Sequence, residues 1–144
     1  MTRLKRCKYA GFAVLLLALT ACDDSQKKIA KELVIVANVV GTFQDGVMEA
    51  ENSRLLTVTQ ARSMMQASIK ISETGLKIDA IVRSVEKLTP EQRRDILELL
   101  TEADGPLTEA MIFLPGSSER VNALKITLQS LRASLNAIRL AAAA

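Results

Sequence analysis

An all-α fold is what this 144-residue sequence predicts: a small antiparallel bundle of three long helices and one short one. Three observations carry the prediction. Apolar residues recur in alternating steps of four and three over three long segments, the spacing of one helical face. Thr57-Val58-Thr59-Gln60 and Thr89-Pro90-Glu91-Gln92 both match the capping box, in which a threonine hydroxyl and a glutamine side chain satisfy each other's backbone N–H groups. Asp104-Gly105-Pro106 and Pro115-Gly116 concentrate the residues that stop helices.

The first helix follows from Ile29, Leu33, Val36, Val40, Phe43 and Val47, the a/d rhythm of a coiled-coil seam. Its middle, LVIVANVV, is rich in β-branched residues and also fits a strand. Helix is preferred because the rhythm extends on both sides of that run. Gly41 and Asp45-Gly46 are where it would break. A turn over 52–56 leads to the second helix, capped by Thr57, with Leu56 and Ala61 placed as a hydrophobic staple. Its stripe is Met64, Ser68, Ile71, Gly75, Ile78, Val82 and Val85. In a hairpin folded near residue 54, Phe43 comes opposite Met65–Ser68 and Leu33 opposite Gly75, so large side chains meet small ones. The third helix starts at Thr89, with Pro90 at its first position, and is expected to be short, ending near Ala103. A further helical turn over 107–113 is allowed before Pro115-Gly116. Ser118 caps the last helix, whose stripe runs through Val121, Leu124, Leu128, Leu131, Leu135 and Ile138. The Ala141–Ala144 tail is expected to fray.

Ahead of the bundle, MTRLKRCK carries Arg3, Lys5, Arg6 and Lys8 and no acid; the uncharged, mostly apolar run AGFAVLLLALTA follows. That run spans about a dozen residues, where a membrane span needs about 20, so it reads as a secretory signal. A signal-anchor or a buried core helix is the competing reading. Leu19-Thr20-Ala21-Cys22 resembles the lipobox of bacterial lipoprotein precursors. The resemblance covers Met1–Cys22 and implies loss of residues 1–21 by cleavage between Ala21 and Cys22. It further implies diacylglycerol and palmitate on Cys22, residues 22–24 as a lipidated tether, and residues 25–144 as one helical domain. Two or three acyl chains at about 0.8 kcal/mol per buried CH2 hold a protein stably on a bilayer. Asp23, reinforced by Asp24, resembles the signal that keeps enterobacterial lipoproteins in the inner membrane; the same residues also suit an N-cap. With so short a tether, Lys27, Lys28 and Lys31 would lie near anionic headgroups.

Removing the signal takes four of the 19 basic residues and none of the 16 acids, so the mature domain is near neutral. Net charge then gives no reason to expect nucleic acid. Phe43 and Phe113 are its last aromatics, too few for a stacking platform. With Cys7 removed and Cys22 acylated, no thiol is left for a disulfide, zinc site or redox couple.

The sequence has no histidine, the commonest general base and metal ligand. Ser-x-x-Lys occurs at Ser25–Lys28 and Ser84–Lys87, and Ser134-Leu135-Asn136 imitates the Ser-x-Asn partner of the penicillin-binding signature that Ser84 and Lys87 resemble. No Lys-Thr-Gly accompanies them, and a bundle lacks the sheet such sites need. Glu49/Glu51, Glu98/Glu102 and Glu91/Asp95 fit solvated helix faces better than acid/base or metal pairs. No catalytic residue, metal or cofactor is therefore expected. Met111-Ile112-Phe113-Leu114 is the candidate contact surface: it either closes the end of the bundle or protrudes to meet a partner or the bilayer.

The function expected is that of a non-catalytic interaction or structural module. It is anchored through Cys22 to the periplasmic side of a bacterial membrane, the inner one favoured. Its partners would be membrane lipid and either another protein or a second copy met through helical seams. A small-molecule-binding lipoprotein and an exclusion or immunity lipoprotein of a mobile element are the alternatives.

Overall fold

The computed structural model describes residues 24–144; the signal segment predicted over 1–21, including Ala21, and also Cys22 and Asp23 lie outside them. Four helices follow in order: α1 (Asp24–Asn52), α2 (Val58–Arg83), α3 (Pro90–Ile112) and α4 (Glu119–Ala143). Each packs on its neighbours in sequence, and α4 closes the ring against α1. The connections 53–57, 84–89 and 113–118 are too short for anything but antiparallel neighbours. Cross-links between helix ends agree. Gln26 of α1 reaches the last carbonyls of α2, Gln60 of α2 reaches Phe113, Arg93 of α3 reaches Ala142, and Arg120 of α4 reaches Ser53. This is an up-down-up-down four-helix bundle.

α1 runs unbroken through Gly41 and Gly46 because its stripe never lapses: Ile29, Leu33, Val36, Val40, Phe43, Val47 and Ala50 are all buried. Burial of each large side chain contributes about 1.5–3 kcal/mol, more than the roughly 1 kcal/mol that a helical glycine costs. Gly46 has a packing reason as well. A Cβ there would lie 2.8 Å from Cδ2 of Leu124, so its absence lets α4 approach. The helix ends in a Schellman motif: Leu55 N–H donates to the Ala50 carbonyl and Arg54 N–H to that of Glu51. Arg54 sits at the left-handed position with φ of 58°, where glycine is the usual occupant.

The Thr57 capping box forms as expected, and both staple residues are buried. The register also holds. Gln44 donates to the Ser68 hydroxyl at 2.9 Å, and Gly75 lies opposite Leu33, its would-be Cβ 3.9 Å from Cδ2. Small residues on α2 thus receive large ones from α1. Gln26 is buried and donates to the carbonyls of Val82 and Val85 at 3.1 and 3.0 Å, satisfying acceptors that the end of α2 leaves open.

α3 corrects the sequence reading of a short third helix. It starts at the Thr89 capping box with Pro90 in its first turn, but continues for 23 residues with Pro106 inside it. An interior proline costs about 3 kcal/mol by removing one hydrogen bond and crowding the carbonyl four residues back. Here that residue is Glu102, which is exposed, so water can serve its carbonyl. Meanwhile Ala103, Leu107 and Ala110 carry the buried stripe across the proline. Arg139 of α4 pairs with Asp104 at 2.8 Å over the same turn. Tertiary burial outweighs the local breaker, and the turn expected over 107–113 is the end of one long helix.

Ser118 caps α4 by accepting from Val121 N–H, and every stripe residue from Val121 to Ile138 is buried. The fraying expected of Ala141–Ala144 is also corrected. Helix continues to Ala143, Ala141 and Ala142 are buried, and the Arg93 guanidinium donates to both their carbonyls. A cation at a helix C-terminus also complements the helix dipole.

Candidate functional surface

The end of the bundle far from Asp24 is built from the 53–57 and 113–118 connections. The stop of α3 decides what it shows. Phe113 is the C-cap, its N–H donating to the Glu109 carbonyl, and Gly116 turns the chain with φ of 74°. Lys125 donates to the Gly116 carbonyl at 2.8 Å and Asn122 to that of Ser117 at 3.1 Å, which pins the connection to α4. The Gln60 side chain serves twice, accepting from Thr57 N–H and donating to the Phe113 carbonyl at 3.5 Å.

Within this frame the four candidate residues divide. Met111 packs partly buried against the core and Leu114 is buried, closing the end of the bundle. Ile112 and Phe113 face outward, 74% and 46% exposed. Val58, the first residue of α2 and 61% exposed, was not singled out from sequence; it stands two residues from Gln60, whose side chain reaches Phe113. Two apolar side chains in the last turn and cap of α3, with a third at the start of α2, make this end suited to apolar contact.

At the opposite end, Asp24 is exposed in the first turn of α1 and pairs with Lys27 at 3.9 Å, a contact of little energetic weight in solvent. Lys28 and Lys31 are exposed beside it. α1 is long and apolar enough, by length and composition, to cross a membrane, but its stripe from Ile29 to Ala50 lines the bundle core.

The residues weighed for chemistry are not brought together. Ser84 is the C-cap of α2 and its hydroxyl donates to the Ile81 carbonyl at 2.8 Å. Ser134 is buried on α4, diagonally across the bundle, and the side-chain Oδ1 of Asn136 accepts from Arg139. Among the described residues, no group of three His, Cys, Asp or Glu side chains could hold a metal ion. The Glu91 carboxyl is held below its ordinary range, chiefly by the hydrogen bond from its own backbone N–H, then by the Thr89 hydroxyl and, less, by Arg94; that is helix-start chemistry.

Fold and surface thus define the class: a four-helix bundle with outward apolar side chains at the end opposite Asp24. Comparison with family models, curated proteins and solved structures finds no match to this chain.

Proposed function

We propose that the chain is a bacterial lipoprotein whose helical bundle acts by contact at the periplasmic surface of a membrane, the inner one favoured. The observation that carries this reading is the position of Leu19-Thr20-Ala21-Cys22. It follows a basic and then an apolar segment, and only Asp23 separates it from the start of α1 at Asp24. Acyl chains on Cys22 would hold the bundle by the end that carries Lys27, Lys28 and Lys31, cations suited to anionic headgroups. At 1.5 Å per residue, the 29-residue α1 would then set Ile112 and Phe113 about 40 Å from the anchor, out of reach of the bilayer for an upright bundle. That geometry favours a protein partner over lipid for the exposed pair.

A photo-crosslinking residue in place of Ile112, in the full chain in its own membranes, tests the reading. One specific protein adduct is expected, lost when Phe113→Ser is added. Adducts to lipid alone, or a small molecule retained by the purified protein with no protein adduct, would overturn it.

A further inference from the structure

The outward face of α4 differs from those of the other three helices. Asn122, Ile126, Gln129, Ala133, Asn136 and Leu140 are all exposed and follow one another in steps of four, three, four, three and four. None is charged. The corresponding faces of the other helices carry Lys31 and Asp45 on α1, Lys70 and Glu73 on α2, and Arg94 and Glu98 on α3. Beyond the first turn of α4 the charges are Lys125, Arg132 and Arg139, one heptad apart. All three reach toward α3 and its connection, to the Gly116 carbonyl, the Thr108 hydroxyl and Asp104, with Arg139 also donating to Asn136 Oδ1 at the edge of the line. The line beside them stays neutral, with Ile126 at 63% and Leu140 at 74% exposure.

We infer that this face of α4 pairs with the same face of a second copy, side by side and in the same direction. The pattern is self-complementary. In parallel register Ile126, Ala133 and Leu140 take the a positions and Asn122, Gln129 and Asn136 the d positions, so each residue meets itself. Asparagine and glutamine amides both donate and accept, so identical residues can satisfy one another across a two-fold axis; Asn122 keeps its Oδ1 and one N–H beyond its bond to Ser117, and Asn136 keeps its amide N–H groups beyond the bond from Arg139. Ala133 at the centre lets the backbones approach. The basic row at 125, 132 and 139 would face Ser130 and Ala137 of the other copy, with no like charges opposed. One helix face buries less than the roughly 1,200 Å² of a stable complex, so the pair depends on both copies sharing one membrane. The parallel direction thus rests on the anchored reading above.

The test is disulfide formation under mild oxidation in membranes containing the full chain. Gln129→Cys and Ala133→Cys are each expected to give a cross-linked dimer. Ala80→Cys, exposed on α2, is not, and adding Leu140→Glu is expected to abolish the product. Linking through Ala133→Cys but not Gln129→Cys would mean antiparallel pairing and overturn the proposal, as would yields no higher than that of Ala80→Cys. The mass at Cys22 is read on the same samples. An acylated chain that does not cross-link removes the pairing face alone, and a cross-linked chain with a bare Cys22 removes the anchor alone.

Discussion

Replacing Gly46 with valine tests the approach of α4 to α1 more sharply than any core truncation. A Cβ at 46 would meet Leu124 Cδ2 at 2.8 Å, a separation real Cβ atoms essentially never show, and valine adds two methyls to it. Leu124 is buried, so yielding forces its side chain into neighbouring core. Overpacking of this kind costs about 1–3 kcal/mol. Valine recovers only a few tenths of a kcal/mol over glycine in helix propensity. The net expectation is a loss of about 1–2 kcal/mol, a fall in Tm of several degrees for a domain of this size. Gly41→Val is the matched control: same helix, same exchange, and nothing within 4 Å of the new Cβ. It should be neutral or slightly stabilising. Urea denaturation of both variants measures the difference, and a Gly46→Val protein as stable as Gly41→Val would refute the close approach.

Three further outcomes follow from single side chains. Gln26→Leu should cost about 1–3 kcal/mol in urea denaturation, because the Val82 and Val85 carbonyls lose a buried donor at the end of α2. Arg54→Gly should stabilise by about 0.5–1 kcal/mol, relief of the left-handed backbone outweighing glycine's greater unfolded freedom. Thr89→Ala should raise the Glu91 pKa toward the ordinary carboxyl value in an NMR titration. The sign for stability follows from the depressed folded-state value: the Glu91 contribution is present at neutral pH and above the unfolded-state pKa, and is lost as pH falls through the folded one.

What the sequence made legible was local. Thr57, Thr89 and Ser118 cap where their side-chain chemistry says they should, since a cap needs only its own three or four residues. The register of α1 on α2, seen where Gln44 meets Ser68 and Leu33 faces Gly75, was legible because a tight connection fixes a hairpin's register. The length of α3 was misread because Pro106 speaks locally while Leu107, Ala110 and Arg139 answer through tertiary packing. One signal could have corrected it: Ala103, Leu107, Ala110 and Leu114 continue the four-three-four spacing across the proline, and all are buried. Read that way, the same spacing turns Leu114 inward and leaves Ile112 and Phe113 outside. The Gly46–Leu124 approach joins residues far apart in the chain, and no local pattern announces it. The last carbonyls of the alanine tail likewise find their donor in a distant residue, Arg93.

Tethering of the bundle through the sulfur of Cys22 is read from the intact mass of the protein extracted from its native membranes. The expected species is a chain beginning at Cys22 and carrying a diacylglyceryl group with or without a further acyl chain. A chain that still begins at Met1, or one beginning at Cys22 with an unmodified thiol, would contradict it.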